Sequence, residues 1–279
     1  MSSAPDAARD QAFVTTSKTV QRICVWCGPA MAVIFAIGFL LAGVIPPPSP
    51  NNSAQQIALW YRDNAINIRW GLVFTIIASA LLGPYFSIIT VQMRRMEGVR
   101  PTLAYTQLAL GALAIIEFII PVMIMQGAAF RTDRDPLLVQ ALNDVGWIMF
   151  LGVVTTFMIQ LICFGVAILL DRRSEPIFPR WVGYFNIWIS MLFMPGTFLV
   201  FFHTGPLAWN GLFIWWIPFA AFLAWFPVNT VYLLRAVNRD DYQPFLGAKG
   251  SELRQQLEAL RAEVKALRSE RVGAKSSVV

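Results

Sequence analysis

Six apolar stretches dominate the chain, at residues 20–45, 69–90, 102–130, 145–170, 181–202 and 212–234. A helix needs about 20 apolar residues to cross a hydrocarbon core of about 30 Å. Only a helix or a closed barrel satisfies its backbone in that medium. The pattern predicts an all-α integral membrane protein with six transmembrane helices, its membrane domain covering residues 20–235.

The polar stretches between them predict the rest. Residues 1–19 are a polar N-terminal tail, expected to be mobile. The first connection opens on Ile45-Pro46-Pro47-Pro48-Ser49-Pro50, a sequence suited to extended polyproline backbone. A short helix over 53–64 should follow, with Ser53 as its cap. In the second connection Asp135 then Pro136 reads as another helix start, opening a short amphipathic helix over 136–143. Asp133, Asp135 and Asp144 can be read as a cation site, or as one cap and two solvated charges. The third connection, 203–211, is tight and uncharged.

Beyond residue 235 the pattern changes. After a linker over 236–249, Leu253, Leu257, Leu260, Val264 and Leu267 recur in steps of four and three, the seam of a coiled coil. A coiled-coil helix is expected over 250–271 and a disordered tail over 272–279. In a parallel pair Glu263 would face Arg268 of the other copy, which favours a homo-oligomer around an axis normal to the membrane. The competing reading is a single amphipathic helix lying on an anionic leaflet.

Composition agrees with a membrane class: 57% of residues are hydrophobic and 14% charged, against about 25% charged in soluble domains. The net charge of +6 is explained by position. Eighteen of the Lys and Arg residues fall in the two terminal segments and the second and fourth connections, and four on the other side, Arg62, Arg69, Arg131 and Arg134. Cytoplasmic loops carry such an excess. Both termini are therefore expected in the cytoplasm, and the protein in the plasma (inner) membrane. The basic residues form no aromatic-interleaved surface, so nucleic acid is a poor fit as partner. Membrane lipids, further copies of the chain and a protein partner are the expected ones. The first apolar run is too long for a cleaved signal core and should act as an uncleaved signal. Cys24 and Cys27 have C-x-x-C spacing but lack further metal ligands, and with Cys163 they read as packed thiols.

Candidate chemistry is sparse. Glu117 lies in the third span with no Lys or Arg deep in any span to pair with it. An ionisable group in the membrane is a functional hypothesis by default. It suits a proton or cation site, or a neutral acid bonding a neighbouring helix. Gln107, Gln160, Thr155, Thr156, Asn186 and Asn229 read as interhelical hydrogen-bonding groups, Gln160 also as a ligand contact. His203, the lone histidine, sits at the outer end of the fifth span, as a surface group or as a relay toward Glu117. Trp215, Phe219, Phe222 and Phe226 share a face of the sixth helix, either a cavity wall for an apolar ligand or lipid-facing surface. Ala32, Ala36, Gly38 and Ala42 allow close packing of the first helix on another helix or subunit. Pro84, Pro121, Pro195 and Pro227 recur at similar depths in spans two, three, five and six. Inverted halves of three helices would place them so, although proline is common in transmembrane helices.

One histidine excludes a histidine-rich di-iron site and bis-histidine haem ligation within the chain, and no nucleotide-binding fingerprint occurs. No cofactor and no metal site is expected. The leading reading is a non-enzymatic homo-oligomeric protein that binds or moves a small or apolar molecule. The second is a scaffold subunit recruited through the coiled coil. The third is an enzyme acting on lipid with Glu117 and His203 as acid and base.

Overall fold

The structure, a computed structural model, describes residues 4–239 with Gln256, Ala259 and Leu260, and only the backbone for residues 4–15. The chain divides into one unit of Met1–Glu97 with Pro101–Arg239 and another of Gly98–Arg100 with Asp240–Val279. The helices of the first unit are α1 (Ala4–Ala42), α2 (Ala54–Asp63), α3 (Ala65–Ala80), α4 (Leu82–Glu97) and α5 (Thr102–Phe130). They continue with α6 (Pro136–Gly152), α7 (Thr155–Leu170), α8 (Arg180–Phe193) and α9 (Ile217–Asn238). A 3-10 segment, Met194–Phe201, extends α8, and a π-helical turn, Leu212–Trp216, opens α9.

These elements form six spans long and apolar enough to cross a membrane: Thr16–Ala42, Ala65–Glu97, Thr102–Phe130, Pro136–Leu170, Arg180–Phe201 and Leu212–Asn238. The described residues are all-helical apart from their connections, as a multi-pass membrane protein requires. Consecutive spans pack side by side, and α9 closes the ring against α1. Across the middle, α4 also touches α7 and α9.

Several elements differ from the sequence expectation, each for a local reason. The first helix begins at Ala4, within the segment expected as a mobile tail. Pro84 has no N–H for the Ala80 carbonyl, and the second span breaks at Leu81 into α3 and α4. Pro195 stands at the switch from α8 to the 3-10 segment, whereas Pro121 and Pro227 lie inside unbroken helices. The short helix expected over 136–143 runs on to Gly152. Asn143 does not end it because its side chain is fully buried and bonded: Tyr61 donates to its Oδ1 at 3.4 Å and Trp147 Nε1 at 3.1 Å. The fourth span breaks instead at Val153–Val154. The last span continues past residue 235 to Asn238, whose Oδ1 accepts from Arg22 at 2.8 and 3.0 Å.

The two ends of the bundle are tied differently. At one end the three connections converge. Trp209 Nε1 donates to the Pro48 carbonyl at 2.7 Å and Gln140 to the Asn52 carbonyl at 3.1 Å. Ser53 and Gln56 form a reciprocal cap on α2, and Asp135 caps α6 by accepting from Leu137 N at 2.8 Å. Arg69 holds the last carbonyls of α5, those of Ala129 and Phe130, at 2.9 and 3.0 Å. At the other end Glu97 accepts from the Leu103 and Ala104 amides, both at 2.8 Å, and so caps α5. Arg95 donates there to the Ala236 carbonyl at 3.0 Å.

Glycines set the closest helix contacts. On α1 the small-residue stripe is used within the chain: a Cβ at Gly38 would stand 2.7 Å from the Gly71 carbonyl oxygen on α3. Gly165 of α7 and Gly183 of α8 oppose each other, and a Cβ on either would lie 2.7 to 2.9 Å from the other's carbonyl oxygen. Small residues permit such approach where apolar burial alone gives no driving force between helices.

Candidate functional site: an aromatic cavity around Glu117

The break at Val153–Val154 is central to the site. Non-helical backbone at membrane depth is tolerated where it is buried in protein or lines a cavity. Here Leu151, Val153 and Val154 line a cavity of about 80 Å³. One water needs about 10–15 Å³.

Five of the six spans contribute to the wall. From α1 come Phe35 and Phe39, from α5 Glu117 and Phe118, and from α6 and α7 Phe150 and Phe157. The 3-10 segment adds Gly196, the π turn Ile214 and Trp215, and α9 Pro218, Phe219 and Phe222. The rings brace one another. Phe118 meets Phe150 edge-on at 5.4 Å, and Phe35 lies 5.7 Å from Phe222. The Trp215 indole lies nearly parallel to Phe39 at 5.9 Å and to Phe219 at 5.5 Å.

Among the described residues Glu117 is the only ionisable side chain on this wall, and no Lys, Arg or His lines it. It is half-buried midway along α5. The Thr156 hydroxyl, in the first turn of α7 after the break, donates to its Oε1. The second polar feature is the Trp215 indole N–H. Trp215 is 2% exposed, and its Nε1 is buried without a hydrogen-bond partner. A buried donor without a partner is uncommon in native structures.

The other sequence candidates fall elsewhere. Phe226 is buried but turns to Tyr85, with ring centroids 5.6 Å apart, and does not line the cavity. Gln160 is 1% exposed, packs beside Gly111 of α5, and its Oε1 has no partner; it too lies off the wall. His203 is exposed in the third connection, within electrostatic range of Asp144, and is not brought to Glu117. Asp133 and Asp135 are exposed, and no cluster of three potential metal ligands exists among the described residues. Cys24, Cys27 and Cys163 are free thiols. Of the heptad positions Leu253, Leu257, Val264 and Leu267 lie outside the described residues, while Leu260 is helical and exposed.

Next to the cavity, on the connection side, sits a small polar cluster. Tyr61 of α2 and Trp147 of α6 both bond Asn143, and Trp147 packs edge-on against Trp215 at 5.9 Å. Burial, then the nearby Asp144 carboxylate, pushes the Tyr61 phenol well above its ordinary pKa. It therefore stays a hydrogen-bond donor.

Elsewhere in the bundle several polar side chains bond one another across helices. Asn186 of α8 donates to Asn229 Oδ1 of α9 at 3.1 Å and accepts from Trp225 Nε1 at 2.7 Å. Thr90 donates to Gln107 Oε1 at 2.6 Å. Sequence reasoning missed the break at 153–154, the π turn and the rings donated by α1, α5, α6 and α7. The break had a faint signal in Gly152 followed by the β-branched run Val153-Val154-Thr155-Thr156. Comparison with protein-family models, curated proteins and solved structures returned no match.

Proposed function

We propose that this protein binds, or moves across the membrane, a small and largely apolar molecule held in the cavity around Glu117. One observation carries the reading: a carboxyl group with no basic partner lies beside a helix break, inside a cavity walled by aromatic rings. Apolar pockets with a few convergent polar groups are the usual form of a ligand site. Broken helices next to buried ionisable groups are a recurring transporter device. The charge bias of the connections supports a membrane orientation with both termini in the cytoplasm, in the plasma (inner) membrane. The leucine seam at Leu253, Leu257, Leu260, Val264 and Leu267 supports a homo-oligomer joined by a parallel coiled coil. The same seam supports a second reading, a scaffold subunit that recruits a protein partner.

Native mass spectrometry of the full-length protein and of a form cut after Gly250 tests both. A defined oligomer carrying a retained small mass, with the mass lost in Glu117→Gln and the oligomer lost on cutting, is the expected result. A full-length protein that never retains a small mass overturns the ligand reading. An oligomer unaffected by the cut overturns the coiled coil.

A further inference from the structure

We infer that the occupant of the cavity is a small organic cation, of the alkylammonium or quaternary ammonium class; this rests on the ligand-binding reading of the same cavity. A buried charge is retained at low cost only when it is paired and hydrogen-bonded. Glu117 has the Thr156 hydroxyl as a hydrogen-bond donor, but the wall supplies no Lys, Arg or His to balance a carboxylate. With a neutral apolar occupant the carboxyl would have to hold a proton, whereas an organic cation lets it bind as the carboxylate.

The rings decide between kinds of cation. Calcium takes six to eight oxygen ligands and magnesium near-ideal octahedral oxygen geometry. This wall offers one carboxyl group among side chains dominated by Phe and Trp. Aromatic faces instead attract cations within about 6 Å of the ring centroid, and aromatic cages are the recurrent solution for quaternary ammonium groups. Phe35, Phe118, Phe150, Trp215, Phe219 and Phe222 come from five different elements and bring aromatic rings to the wall from four of the six spans. An ammonium group seated among them meets Glu117 as its counter-charge and the rings as its solvent. Its alkyl groups remain in apolar contact.

The test compares choline with 3,3-dimethylbutan-1-ol, its uncharged carbon isostere, by isothermal titration calorimetry on the full-length protein in dodecyl maltoside micelles, with empty micelles as blank. Choline should bind at least about tenfold more tightly, the scale of a desolvated cation–π contact added to a charge pair. Glu117→Gln should remove that advantage and leave the weak binding of the alcohol unchanged. Equal binding of the two probes to the wild-type protein overturns the cation inference and leaves the apolar-ligand reading standing. Binding of neither probe overturns the inference, and the retained mass in native spectra then judges the broader reading separately. Should Glu117→Gln fail to fold, the wild-type comparison of the isosteres still decides, and Glu117→Asp, which keeps the charge, should keep the preference for choline.

Discussion

Two tryptophans on the last span, Trp215 and Trp225, divide the molecule into two kinds of interior. Both are almost fully buried, at 2% and 1% exposure. Trp225 is a structural residue by every contact it makes: its N–H reaches Asn186 Oδ1 at 2.7 Å, and its ring packs edge-on against Tyr85 at 5.5 Å. Trp215, in the π turn, has an N–H with no partner and a face on the cavity. Around Trp225 the helices are drawn together by paired amides and by the opposed Gly165 and Gly183. Around Trp215 they are held apart by rings, a broken fourth span and a 3-10 segment. The same six spans thus pack tightly where their polar groups find one another. They leave space around Glu117 and the unpartnered Trp215 N–H; the buried Gln107 Nε2 and Gln160 Oε1 also lack partners, away from the cavity.

Substitutions can break this contrast in order of expected effect. Gly165→Val places branched carbon against the Gly183 carbonyl and Ile187, where even a Cβ stands at 2.7 Å from both. It should cost about 3 kcal/mol, the upper part of the overpacking range, read as thermal unfolding in micelles. A cost near zero would mean that α7 and α8 do not touch as described.

Trp225→Phe removes one ring of the indole and deletes the bond to Asn186, leaving a buried acceptor unpaired. A loss of about 1–2 kcal/mol is expected, read as thermal unfolding in micelles. Thr156→Val removes the hydroxyl that holds Glu117 and should cost about 0.6 kcal/mol, the average for hydrogen bonds measured between membrane helices. Its larger effect should be on ligand affinity, because the carboxyl is no longer oriented.

Trp215→Phe sharpens the comparison most although its stability effect is smallest. It deletes a donor that has no partner, so beyond the ring-volume loss that Trp225→Phe shares, stability should change by less than about 0.5 kcal/mol. If Trp215→Phe destabilised as much as Trp225→Phe, the two interiors would not differ in the way the hydrogen bonds indicate.

Much of the membrane architecture was legible in the sequence, and for a simple reason. In hydrocarbon the backbone must satisfy itself, so runs of apolar residues translate into helices with little help from their surroundings. The third span, expected at 102–130, is α5 at Thr102–Phe130. The caps at Ser53 and Asp135 were equally readable, because a cap is a local bond between a side chain and the amides that follow it. Asn186 and Asn229, read singly as interhelical groups, turn out to bond each other.

The site was less legible. Glu117 stood out because an ionisable residue in a span is costly wherever it lies. Its surroundings did not, because they come from five spans. Phe35 and Phe150 in the sequence are two among 21 phenylalanines, indistinguishable from lipid-facing ones. The tertiary structure set Phe226 aside from the face it shares in sequence, kept His203 away from Glu117, and turned Trp215, Phe219 and Phe222 inward. The sequence alone determined what the chain is soluble in, how many times it can cross, and where its lone deep carboxyl lies, since each depends on transfer free energy along a local segment. Which helix each face meets, where the fourth span opens and which rings gather around that carboxyl depend on contacts between segments far apart in the chain, and only packing decides those.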